Sequence, residues 1–109
     1  MNKYPENHMI VVDMAGNDIK IKASSCYLEQ LTKMGFSPTS ETLMSKTVET
    51  LAEKIDLINL LIANNALFLY GIGWYPSELI EYYKANGYNI EKYKSISWSS
   101  PQDYIIREH

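Results

Sequence analysis

The chain has 109 residues, a formal net charge of −3, and a composition that is 46% hydrophobic and 21% charged. This is one domain's worth of chain, residues 1–109, able to bury roughly two thirds of its unfolded surface without covalent staples. A single cysteine and two distant histidines, His8 and His109, exclude a disulfide framework and a metal site, and the acidic balance argues against a general nucleic-acid or anionic-membrane binder.

Residues 1–9 hold Lys3, Pro5, Glu6 and His8, so they lack the apolar core of a secretory signal. From His8 to Ala23 the pattern predicts a β-hairpin. Ile19, Ile21 and Ala23 alternate with Lys20 and Lys22, and Gly16-Asn17 suits a two-residue turn. The register that follows pairs Met14 with Ile19, Val12 with Ile21 and Ile10 with Ala23 on one face. Asp13 then meets Lys20 on the other.

A short helix follows over Ser24–Gly35, with Leu28, Leu31 and Met34 as its apolar stripe. Glu29 and Lys33 form an i,i+4 pair, and Gly35 is the stop. Cys26 falls in the first turn of this helix, where the dipole lowers a thiol pKa, but no histidine is placed to act as its base. It reads as a small buried hydrophobe.

The longest periodic pattern runs from Glu41 to Ala63, where Met44, Val48, Leu51, Ile55, Ile58 and Ile62 recur at steps of four and three. It predicts one long central helix packed on the sheet of its own domain. A coiled coil is disfavoured, because of the flanking positions only Lys54 carries charge. After Ile55, Leu57, Leu60 and Leu61 add apolar surface on the opposite side. That surface needs cover from a later segment or from a second copy, so these three residues are the candidates for self-association as a homodimer.

Asn64-Asn65 ends this helix, and Leu67–Tyr70 is left open between helix and strand. The apolar stretch Leu57–Gly73 is interrupted by three asparagines and reads as buried rather than membrane-spanning. With an unpaired thiol and no export signal, the expected compartment is the cytoplasm. Pro76 opens a third helix that Gly87 closes. A second hairpin spans Tyr93–Arg107 and turns at Ser99–Gln102. The order β-β-α-α-α-β-β implies an α+β, two-layer domain, in which an antiparallel sheet built from the N- and C-terminal hairpins carries helices on one face.

No catalytic set emerges. Gly71-Ile72-Gly73 lacks the remainder of a dinucleotide motif, and the pairs Glu49/Glu53 and Glu78/Glu81 lie on solvent faces, so no cofactor or metal is expected. The aromatics are distributed unevenly: of thirteen, ten lie between Phe68 and Tyr104. Tyr and Trp suit surfaces that are wet when free and buried when bound. Trp98 and Tyr83 are expected in the core. Trp74, Tyr75, Tyr82 and Tyr88 are the candidate contact surface for another protein.

The composition therefore points to a small non-enzymatic interaction module, an adaptor, inhibitor or antitoxin-like regulator. The alternative is a winged-helix DNA-binding regulator, built from the third helix and the final hairpin. Its electrostatics oppose it: from Ala66 onward four basic residues stand against five acidic ones.

Overall fold

The computed structural model describes residues 4–40, 43–70, 76–90 and 92–109. Its elements are β1 (Met9–Asp13), β2 (Asp18–Ala23), a 3-10 turn at Ser25–Tyr27 leading into α1 (Leu28–Lys33), β3 (Ser37–Pro38), β4 (Leu43–Thr47), α2 (Leu51–Ala63), β5 (Leu67–Leu69), α3 (Pro76–Ala85), β6 (Lys94–Ser100) and β7 (Asp103–Glu108). The fold is α+β. One seven-stranded sheet runs in the order β3-β4-β2-β1-β5-β6-β7.

The sheet is mixed, not antiparallel as expected. The short run Leu67–Leu69 forms the strand that joins the two hairpins, parallel to β1 on one side and to β6 on the other. A four-residue apolar run has no readable period, which is why its role is hidden in the sequence. The final hairpin is consequently no free-standing wing, since β6 is hydrogen-bonded into the sheet through β5.

The first hairpin forms with a different register. Asp13 faces Lys20, but the pairing shifts between Val11 and Asp13, so that Val11 faces Ile21 and Met9 faces Ala23. The cause is burial from both sides. Met9, Val11 and Met14 join the larger core with Ile19 and Ile21, while Ile10 and Val12 serve a smaller cluster. Alternation alone sends neighbours to opposite faces, and the extra residue of the bulge between Val11 and Asp13 returns Met14 to the larger core beside Ile19. Neither Gly16 nor Asn17 takes a positive φ. Asp13 Oδ1 instead accepts from the Ala15 N–H at 3.1 Å within a longer link.

The long helix is also corrected: α2 begins at Leu51, and Leu43–Thr47 is a strand that pairs with β2, Met44 opposite Ile21. Thr50 sets the boundary. Its side chain accepts from the Glu53 N–H at 3.1 Å, and Glu53 Oε2 reaches back to the Glu49 N–H at 3.4 Å. This is close to a capping box, and it satisfies amides that a continuing helix would have bonded internally. Gly35 ends α1 at φ +98, a left-handed conformation. A Cβ there would lie 3.0 Å from Lys46 Nζ, which donates to the Met34 carbonyl at 2.9 Å.

All three helices contribute to the larger core, around the fully buried Phe68, Leu31, Ile58, Leu61 and Ile80. None contributes to the smaller cluster of Ile10, Leu67 and Ile96. Aromatics close over that cluster: Tyr4 meets Trp98 edge-on at 5.2 Å, and Trp98 meets Tyr104 at 6.4 Å. Trp98 is therefore only half-buried, whereas Tyr83 is a core residue as expected. Lys54 points inward, with Nζ 3.5 Å from the Ala15 carbonyl and 5.5 Å from the centre of the Tyr83 ring. No helix among the described residues is long and apolar enough to cross a membrane.

Candidate functional site

The residues singled out from sequence are dispersed. Tyr82 stands 61% exposed on α3, its ring edge-on to that of buried Tyr83 at 5.9 Å. Tyr88 is half-buried and packs on the larger core. Trp74 and Tyr75 lie outside the described residues. Leu57 and Leu61 are buried within the chain itself, so the cover sought from a second copy is already in place for them; only Leu60 stays exposed. Cys26 is exposed, not buried, and its thiol faces Asn7 Oδ1 at 3.5 Å rather than an imidazole. The carboxylates Glu49, Glu53, Glu78 and Glu81 are exposed as expected.

A concentration of polar chemistry lies instead at the β6–β7 end of the sheet. Alternate residues of a strand share a face. Ser95 lies opposite Phe68 on one side and Arg107 on the other, so Ser95, Ser97 and Arg107 look out from the face that bears the helices. With Tyr70 and His109 they line a hollow of about 70 Å³. His109 also borders a second hollow of about 160 Å³, whose other walls are Lys92, Tyr93, Lys94 and Glu108.

His109 is tied down three ways. Its backbone N–H donates to the Tyr93 carbonyl at 2.9 Å, its ring stacks on Tyr93 at 4.6 Å, and Nε2 lies 2.8 Å from Ser95 Oγ. Tyr93 in turn meets Phe68 edge-on at 5.7 Å, which anchors the arrangement to the core. Burial, then the nearby charges of Glu81 and Tyr70, push the Tyr93 phenol above its ordinary value of 10.0. It stays a neutral donor throughout the physiological range.

Chemically the smaller hollow is a set of donors. Tyr70, Ser95, Ser97, Arg107 and His109 all present O–H or N–H groups, and no Asp or Glu side chain among the described residues lines it. Its volume is roughly that of two liquid waters at ~30 Å³ each, enough for one small acidic group. The Ser95–His109 contact satisfies a buried hydroxyl. Acyl transfer would also need an acid on the far ring nitrogen and donors for an oxyanion, whereas the ring of His109 is seen bonded to Ser95 alone among the described residues. Glu108 pairs with Lys94 at 3.7 Å in an exposed setting worth little energy.

Sequence reasoning passed over these residues. The available signal was Ser95 and Ser97 at alternate positions beside Ile96. Small polar residues on a helix-bearing face mark a place the helices do not cover. Comparison with protein-family models, with curated proteins and with solved structures returns no match.

Proposed function

We propose that the chain is a small, cytoplasmic, non-enzymatic interaction module, an adaptor, inhibitor or antitoxin-like regulator, that receives an acidic group of a partner protein on its tyrosine-rich C-terminal half. One observation carries this reading. In a chain of net charge −3, Tyr70, Ser95, Ser97, Arg107 and His109 converge on one hollow that no Asp or Glu side chain among the described residues lines, and Lys92 and Lys94 stand beside it with Glu108.

Arginine and tyrosine are the residue types that dominate interface energies. A guanidinium beside hydroxyl donors suits a carboxylate or phosphoryl group. Tyr82, 61% exposed on α3, is a further aromatic side chain of this half that stands free for a partner to cover.

The test is quantitative capture from the native host, using wild-type protein, Tyr70→Ala, His109→Ala and a control change at the exposed Lys33 of α1. The reading expects partners that are lost with both site variants, kept by the control and weakened by added salt. A set of bound proteins indifferent to Tyr70 and His109 overturns it.

A further inference from the structure

In an antiparallel ladder, alternate pairs exchange both backbone hydrogen bonds, and the residues between them turn N–H and C=O to the opposite edge. The His109 N–H donates to Tyr93, one step beyond the pair Lys94–Glu108, and the same register continues to Trp98–Tyr104. Arg107 and Ile105 therefore direct their backbones to β6. Glu108, Ile106 and Tyr104 direct theirs outward. β7 is the last strand of the sheet, and no strand among the described residues pairs with its outer edge. It contains no proline, and Ile105 and Ile106 are each 42% exposed.

A six-residue edge with every outward N–H free of proline and two exposed isoleucines at its centre is a template for another strand. The geometry points to a second copy of this chain, pairing β7 to β7 antiparallel about a two-fold axis at Ile105. The stereochemistry selects that register. Outward-facing residues must meet outward-facing residues, so the axis passes through a residue rather than between two. With the axis at Ile105, Tyr104 exchanges both backbone hydrogen bonds with the partner's Ile106, and the reverse pair does the same. Ile105 meets its own copy, and Asp103 meets the partner's Arg107 on both sides of the axis. These last pairs are of the non-hydrogen-bonded kind, in which side chains approach most closely. Ser100 Oγ donates to Asp103 Oδ2 at 3.0 Å, which orients the carboxylate for a guanidinium at its other oxygen.

The neighbouring registers are poorer. An axis at Ile106 sets Ile105 against Arg107 and Tyr104 against Glu108. An axis at Arg107 opposes like charges, and one at Tyr104 runs Ile106 into Gln102 of the turn.

The inference shares Arg107 with the donor hollow, so its independent tests are those at Asp103 and Ile105, neither of which lines that hollow. Light scattering over a concentration series is expected to show the wild-type chain doubling in mass. Asp103→Arg and Arg107→Asp should each weaken that doubling at least tenfold, and the two changes together should restore it. In a Cys26→Ser background, Ile105→Cys should form a symmetric disulfide under mild oxidation and Ile106→Cys should not, because residue 106 faces Tyr104. A mass that stays monomeric at millimolar concentration overturns the inference, as does doubling indifferent to both charge reversals or cross-linking at 106 in place of 105. Partner capture that depends on Tyr70 while the mass stays monomeric would separate this failure from failure of the functional reading.

Discussion

The two edges of the sheet are built differently. At one end β3 has only two residues, Ser37 and Pro38, both exposed. The Thr39 N–H donates to the Leu43 carbonyl at 2.8 Å, so by the alternation of the ladder the nitrogen of Pro38, opposite Met44, faces outward. Proline has no hydrogen there to offer. At the other end β7 has six residues, two exposed isoleucines and an N–H at every outward position. A short edge ending in proline resists strand addition, and a longer one with exposed isoleucines at its centre invites it. The helix layer follows the same asymmetry: Lys46 of β4 ties that end to the last turn of α1, while Ser95, Ser97 and Arg107 look onto the donor hollow.

The contrast between the two ends rests on the strand that joins them. β5 is only three residues long and is hydrogen-bonded to β1 and β6. Phe68 at its centre is fully buried and touches Tyr93 beside the hollow. Phe68→Ala is expected to cost about 3–5 kcal/mol, a large share of the roughly 5–15 kcal/mol typical of a domain. Urea unfolding read by circular dichroism measures it. A loss below about 1 kcal/mol would mean that β5 does not hold the two ends together.

Next in size is the boundary between β4 and α2. Thr50→Ala removes the acceptor for the Glu53 N–H and should cost about 1 kcal/mol. The same urea experiment reads it, and no change would show that the helix start is fixed by packing alone.

That boundary also explains what was legible in the sequence. Ile19, Ile21 and Ala23 announce β2 because one of its faces is buried and the other wet. Met44 and Val48 continue the spacing of Ile55 and Ile58 by coincidence, and the cue against a continuous helix was Thr50 followed three residues on by Glu53. The bulge in β1 was hidden because a strand buried on both faces shows no alternation. The donor hollow joins Ser95 of β6 and Arg107 of β7 to Tyr70 and His109, which directly follow β5 and β7, and only the parallel insertion of β5 brings Tyr70 beside the others.

A smaller effect belongs to the open end. Because the folded chain holds the Tyr93 phenol above its unfolded value, the neutral form is favoured in the fold. The unfolded chain then loses its proton first as pH rises through about 10, so stability from this group is complete below that pH. It is lost progressively as pH climbs toward the raised folded value. Tyr93→Phe should flatten this part of the alkaline decline in thermal melting. An unaltered slope would place the Tyr93 phenol in water in the folded chain.

The smallest expected change concerns Pro38. Pro38→Val returns an outward N–H to an exposed site and should alter monomer stability by no more than about 0.5 kcal/mol. Its consequence is in assembly. A chain with one addable edge closes as a two-fold dimer, whereas a chain with two can extend from both ends without closing. Light scattering of Pro38→Val at high concentration should therefore show a slow rise beyond the dimer, and adding Asp103→Arg should suppress it by disabling the other edge. If the mass stops at the dimer, the two-residue length of β3 is block enough, and the proline adds nothing to the protection of that edge.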